Sequence, residues 1–334
     1  MNQTLTLQAP QPGKERQVLE WKHLRGPDFE KIDRDKTIVC VTLSPMEVHG
    51  PHLPVLTDYL EAEALTTRTM ELVHDIHPEI TVIRLPPMYI ASDVVPQPGS
   101  INFRSSTIVR VLCDLGRSLS KQGFRHIWVS SFHGGPRHFV PIDLACHKTN
   151  KKYGTQMICV FSLLIKRLTQ GATDLSDILG HLDGITREDL QGDSHGGAVE
   201  TAMMLHLLGD QVDPKYKELE QLTVAIKQEK KGLVSHTKST KPSLSTLLLG
   251  FREKLKYYEE ESYAGHPAVA TPELGKQILE TLSKHSAEAL SLVWQGKIKS
   301  HECYSPLWPV RWVFTVRWIS WLFEKINGYR TQVW

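Results

Sequence analysis

The run Thr37-Ile38-Val39-Cys40-Val41-Thr42-Leu43 is short, β-branched and almost continuously apolar, the pattern of a strand buried on both faces of a parallel sheet. Comparable runs predict strands at 80–85, 126–132 and 156–162. Helices are predicted near 58–75, 105–123, 137–152, 198–209 and 272–295. This alternation of strand and helix predicts an α/β fold, with a mainly parallel sheet sandwiched by helices in three layers, α/β/α. We expect an N-terminal extension over 1–20, a catalytic domain over 21–300 and a tail over 301–334. Within the domain, the charged run Lys227-Gln228-Glu229-Lys230-Lys231 and the Ser/Thr/Lys-rich stretch 235–246 mark 210–262 as an excursion, read as a lid, a subunit contact or a solvated loop.

Polar clusters sit where these elements end. After the first strand comes Glu47-Val48-His49-Gly50-Pro51-His52-Leu53-Pro54, with Asp58 four residues further on. Carboxyl edges of parallel sheets are where α/β proteins bind ligands. Glu, His and Asp offer the oxygen and nitrogen donors that suit Zn²⁺, Mn²⁺ or Fe²⁺. A second cluster, Ser131-Phe132-His133-Gly134-Gly135, closes the 126–132 strand. A third, Asp193-Ser194-His195-Gly196-Gly197-Ala198-Val199-Glu200-Thr201, opens an apolar helix that Asp193 or Ser194 would cap. Taken singly, His133 reads equally as a hydrogen-bonded core histidine and Glu200 as a carboxylate favoured by the helix dipole.

Together these residues resemble the creatininase family of metal-dependent amidohydrolases. The family's Glu-x-His-Gly-Pro-His-Leu-Pro…Asp signature stands here as Glu47 to Asp58. Its Asn-Gly-His-Gly-Gly-Asn turn is similar to Ser131–Pro136, and its His-Ala-Gly…Glu-Thr segment to His195–Thr201. The resemblance implies a creatininase-like fold and a two-metal site with Glu47, His49, Asp58, His133 and Glu200 as ligands and Asp58 as the bridge. It implies two divalent ions, Zn²⁺ and/or Mn²⁺ with Fe²⁺ also accepted, and His195 as catalytic acid/base. Creatinine-specific members can carry a Glu where this chain has Gly135; members with a Gly-Gly turn look to draw that carboxylate from the segment matching Glu200. The implied activity is hydrolysis of an amide, cyclic amide or formamide C–N bond in a small molecule through a metal-activated water.

Three positions depart from the family pattern: Ser131 and Pro136 replace asparagines, and Val48 stands where Gln is common. No counterpart of the tryptophan-bearing loop of creatinine-specific members is evident, which argues against creatinine as substrate. The alternatives are a deformylase or peptide-trimming enzyme of cofactor biosynthesis, a single-metal site if Glu200 points away, and a catalytically silent scaffold.

The chain has 334 residues, with 39 basic and 37 acidic side chains and a net charge of +2, too balanced to create a nucleic-acid-binding field. Five scattered cysteines (40, 113, 146, 159 and 303) read as reduced residues of a cytoplasmic protein. No apolar signal region stands in Met1–Gln17. A homo-oligomer is expected, as the family tends to be. Five of the eight tryptophans fall between Trp308 and Trp334. There the pattern predicts a helix over 309–326, about 18 residues and short of the ~20 needed to span a bilayer. Docking on the core or on a subunit is expected ahead of peripheral membrane contact through 308–326.

Overall fold

The computed structural model describes residues 18–169, 179–236 and 244–327. The proposed extension (all but its last three residues), the middle of the Ser/Thr/Lys stretch and Trp334 lie outside them. Five parallel strands form one sheet: β1 (Val18–Glu20), β2 (Thr37–Thr42), β3 (Thr81–Arg84), β4 (His126–Ser130) and β5 (Gln156–Cys159), in the order β1-β3-β2-β4-β5. Every residue of the central strand β2 is buried.

The two-residue period of the strands divides the core. Val39, Val41, Ile127 and Val129 face one helical layer, built on α3 (Ser105–Lys121) and α4 (Pro136–Tyr153). Ile38, Cys40, Val82, Trp128 and Ile158 face the other. That second layer comprises α2 (Thr57–Ile76), α5 (Val160–Thr169) and α9 (Pro272–Trp294). A helical annex forms where α6 (Ala198–Leu208) packs against α9 and α2 through Ala202, Met203, Leu274 and Ile278. Further helices are α1 (Gly26–Glu30), α7 (Val224–Lys230), α8 (Leu244–Glu260), α10 (Trp312–Thr315) and α11 (Arg317–Asn327).

Proline placement in α4 shows how local constraints are met. Pro136 occupies the first turn, where a missing N–H costs nothing. Pro141 lies inside the helix and cannot donate to the carbonyl of Arg137; the Ser105 hydroxyl donates to that carbonyl instead, at 2.9 Å.

Two expectations need correction. The strand predicted over 156–162 ends at Cys159, and α5 begins at Val160; the apolar run is continuous across the junction, so periodicity cannot mark it. The single tail helix predicted over 309–326 is broken. Val316 is extended (φ −88°, ψ 112°) between α10 and α11, and the Thr315 hydroxyl bonds back to the Arg311 carbonyl at 2.9 Å, an interaction that favours bending. Among the described residues no helix is long and apolar enough to cross a membrane.

The first part of the tail docks on the core. Tyr304 and Phe314 are buried, Trp308 stacks on Tyr304 with ring centres 4.1 Å apart, and the Arg311 guanidinium lies 4.4 Å from the Trp308 ring centre. A buried carboxylate ties the segment down: Asp143 of α4 accepts the Ser305 N–H at 2.9 Å. Beyond Val316, by contrast, Trp318 is 66% and Trp321 43% exposed. Deletion of 305–334 strips the docked segment from α4 and is expected to lower Tm and to change solubility or assembly, read by calorimetry and light scattering. A deletion protein matching wild type in both would make the docking energetically silent.

Burial pushes the Asp143 carboxyl up from 3.8 to about 7, even though Ser305 favours its charged form. A raised folded-state value means that this group's contribution is most favourable below 3.8 and is lost as pH rises through about 7. Asp143→Asn keeps an acceptor for Ser305 and removes the ionisation. Its Tm should exceed that of wild type by about 2 °C or more at pH 8 and show no gain at pH 5; equal shifts at both would exclude ionisation as the cause.

Candidate metal centre

Adjacent strands aim the first two clusters at one point. β2 and β4 pair in register down to Thr42 and Ser130, and the Leu43 N–H extends the ladder to the Ser130 carbonyl at 2.9 Å. The loops leaving both strands therefore emerge side by side at the carboxyl edge. The loop after β2 is closed by Glu47 N–H donating to the Val55 carbonyl at 2.9 Å. Asp58 then lies in the first turn of α2, where the helix dipole favours a carboxylate. The third cluster reaches the same place as the lead-in to α6: Ala264 N–H donates to the His195 carbonyl at 2.7 Å, and Asp193 accepts the Ala198 N–H at 2.5 Å as the helix begins.

All six sequence-predicted residues meet here. One oxygen of Asp58, Oδ2, lies 3.2 Å from His49 Nε2, which is itself 3.7 Å from Glu200 Oε2. The other, Oδ1, lies 3.7 Å from His133 Nδ1, which is 3.1 Å from Glu47 Oε2. Asp58 is thus shared by two donor groups, Glu47–Asp58–His133 and His49–Asp58–Glu200, each with its donor atoms within 4.8 Å of one another. Glu47, His49 and Asp58 are at most 1% exposed.

Backbone carbonyls set the imidazole tautomers, because a carbonyl can only accept. His49 Nδ1–H donates to the Glu47 carbonyl at 3.0 Å, and His133 Nε2–H to that of Ser92 at 3.1 Å, so the other ring nitrogens, His49 Nε2 and His133 Nδ1, face the carboxylates. The Val95 N–H, at 2.6 Å, fixes Oε1 of Glu47. Glu47 Oε2, His49 Nε2 and Asp58 Oδ2 are buried and meet other members of the cluster, Oε2 facing His133 Nδ1 and His49 Nε2 facing Asp58 Oδ2. Two imidazoles and three carboxylates presenting such atoms fit Zn²⁺ or Mn²⁺.

The electrostatics are those of a cluster that needs positive charge. Burial opposes ionisation of Asp58, yet the imidazoles of His49 and His133 hold it well below the usual range. Burial likewise opposes ionisation of Glu47, and His133 and His195 outweigh it. His49 is raised to about 10, against burial, by Asp58 and Glu200. Burial raises Glu200. His195 behaves oppositely: burial and then the His49 charge lower it to about 4. Its ring stacks on His49 with centres 4.1 Å apart, and its Nε2–H donates to the Val48 carbonyl at 2.7 Å.

The departures from the family pattern are accommodated. At Val48 the contact with His195 is through the backbone carbonyl, while the side chain packs toward Gly99. The Ser131 hydroxyl pairs with His138 Nε2 at 3.1 Å and lies 3.3 Å from the His133 N–H, holding the turn. Gly135 is required because a Cβ there would lie 2.7 Å from His133 Nε2 and from Asp93 Cβ. Gly196 adopts φ +56°, and its Cβ would meet the His49 backbone at 3.1 Å.

The centre forms the floor of a pocket of about 190 Å³, whose walls include Asp93, Val95, Pro136, Lys254, Leu255 and Tyr258. Of these wall residues sequence reasoning singled out only Pro136, and it missed Glu61. Glu61, one turn after Asp58, is fully buried with neither oxygen partnered. Burial and then Glu200, Asp58 and Asp193 push its carboxyl well up. Its signal was present as an acid on the buried face of α2, beside Ala62 and Leu65. Lys254, Leu255 and Tyr258 lie on α8, within the stretch read as an excursion.

Comparison with known proteins agrees with this geometry. No curated protein matches the chain. A Bacteroides fragilis protein assigned as a creatinine amidohydrolase shares the fold at 18% identity and TM-score 0.58, covering 84% of this chain and 97% of its own. A creatininase crystal structure aligns at 16% identity and TM-score 0.56, with coverage of 83% and 98%; a creatininase with Mn does so at the same identity and TM-score, covering 83% and 99%. The creatininase family model, described as creatinine amidohydrolase, matches residues 22–290, and the chain therefore belongs to the creatininase family.

Proposed function

We propose that this protein is a metal-dependent amidohydrolase that cleaves a C–N bond of a small molecule at the cluster around Asp58. The observation that carries the reading is the pair of donor groups sharing Asp58, whose buried donor atoms face one another across 3.1–3.7 Å. Burying three carboxylates around two imidazoles is costly without further positive charge, a cost that coordination removes and a silent scaffold would bear for nothing. Glu47, Asp58 and His133 would hold one divalent ion, and His49, Asp58 and Glu200 a second. Two ions there would supply Lewis acidity and a nucleophilic water of lowered pKa. Creatininases of this fold have been solved with Mn, with paired Zn and with creatine, which supports Zn²⁺ or Mn²⁺ here and a small ligand.

His195 moves the proton. With Nε2–H committed to the Val48 carbonyl, Nδ1 is its working atom. Nδ1 would accept a proton and then deliver it to the departing nitrogen. Tyr258 packs edge-on against the imidazole with ring centres 5.5 Å apart and limits its rotation. The apolar walls from Val94, Val95, Pro96 and Leu255 exclude bulk water around the reacting bond.

A pocket of about 190 Å³ accommodates a small amide or formamide; the deformylase and peptide-trimming readings remain the alternatives. The exposed Trp318 and Trp321 support a peripheral role for the tail in contact with a second copy or a lipid interface, apart from the chemistry.

Elemental analysis of protein purified without chelator should give about two divalent ions per chain. Asp58→Ala should lose both and Glu200→Ala one, and the loaded wild type should hydrolyse at least one member of a broad amide and formamide panel. A wild type that takes up no metal after reconstitution with Zn²⁺ or Mn²⁺ would sink the reading, and a single ion would replace it with a mononuclear site.

A further inference from the structure

The excursion pairs several of its lysines but not the one that faces the pocket. Lys227 contacts Glu260 at 2.6 Å and Glu261 at 2.7 Å, Lys230 contacts Glu220 at 3.1 Å, and Lys231 contacts Glu260 at 3.6 Å. Lys254 stands on the other side of α8. It lines the pocket with Leu255 and Tyr258, across from Asp93, Glu47 and His133. Its ammonium lies 5.9 Å from the Tyr258 ring centre. Among the described residues no carboxylate pairs with it within 4.0 Å.

Lys254 is exposed to solvent, and the surrounding protein pushes its pKa down against the pull of Asp93 and Glu47. With no carboxylate partner among the described residues, its ammonium is placed on the pocket wall to form a charge-assisted hydrogen bond with an anionic ligand.

We propose that Lys254 anchors a carboxylate on the substrate, so that this site takes small amides bearing an acidic group beside the scissile C–N bond. The inference rests on the amidohydrolase reading and narrows its substrate class. It also assigns α8 a role: the helix supplies the specificity wall, while the strand-end loops supply the ligands. Tyr258 steadies the Lys254 stem and, with its hydroxyl 3.1 Å from Ser194 Oγ, ties that wall to the lead-in of His195.

The test compares N-formylglycine with N-formylglycinamide, which differ only in the carboxylate, binding to Zn²⁺- or Mn²⁺-loaded protein by titration calorimetry. Wild type should bind the acid about tenfold more tightly, the worth of one charge-assisted hydrogen bond. In Lys254→Met the ratio should fall toward one, and in Lys254→Arg most of it should return, with the metal content of all three proteins equal. If the pair is turned over, the same ratio is read in KM rather than kcat. Equal affinity in wild type, no detectable binding of either compound, or a preference that survives in Lys254→Met overturns the proposal; in the last case the metals themselves read the carboxylate. A wild type that shows the ratio but hydrolyses nothing leaves the anchor in place and removes the amidohydrolase reading instead.

Discussion

Asp58 is the constraint around which the structure is arranged. A carboxylate 1% exposed survives ionised only among groups that supply positive charge or hydrogens. Its two oxygens face two imidazoles, each turned by a backbone carbonyl so that its free nitrogen looks inward. That arrangement demands strands β2 and β4 side by side, because only neighbouring parallel strands deliver two loops to the same point at the same height. It also demands the helix dipole at the start of α2, and the dry packing of Ile38, Trp128 and their neighbours that keeps the strands in register.

Much of this was legible in the sequence because the signals are local. A β-branched apolar run announces a two-face-buried strand, and a Glu-x-His followed by an Asp at fixed distance can converge through one rigid Pro-rich loop. His133 was legible for the same reason: it stands directly after a strand. Glu200 was harder, since nothing local says whether a first-turn carboxylate faces solvent or neighbours. The lead-in to α6 decides it, by bringing His195 against Val48 and the Gly196 N–H onto the Glu200 carboxylate.

What escaped sequence reasoning is what depends on distant packing. The three-residue edge strand β1 has too few positions for a period, and the β5–α5 junction falls inside one unbroken apolar run. α8 lies in a segment rich in lysine and glutamate, which reads as solvated; α7 pairs with Glu260 near its end, and Lys254, Leu255 and Tyr258 line the pocket, a division that no local pattern marks. The tail helix breaks at Val316, between Phe314, buried against the core, and the exposed Arg317 and Trp318. No period of the isolated sequence marks that break.

The Gly135–Glu200 relation shows how one steric limit redistributes chemistry. No side chain fits at 135, where a Cβ would collide with His133 Nε2 and Asp93. A third carboxylate for the His49 side must therefore come from another element, and α6 provides it from its first turn. Drawing that carboxylate from α6 couples the cluster to the annex, where the helix is packed against α9 by Ala202 and Leu274. It also brings the His195 segment and, through the Ala264 bridge, the end of the excursion into the wall of the same pocket. Gly135, Asp93 and Lys254 line the same pocket, and on the proposed reading α8, rather than the strand-end turn, would distinguish one amide from another.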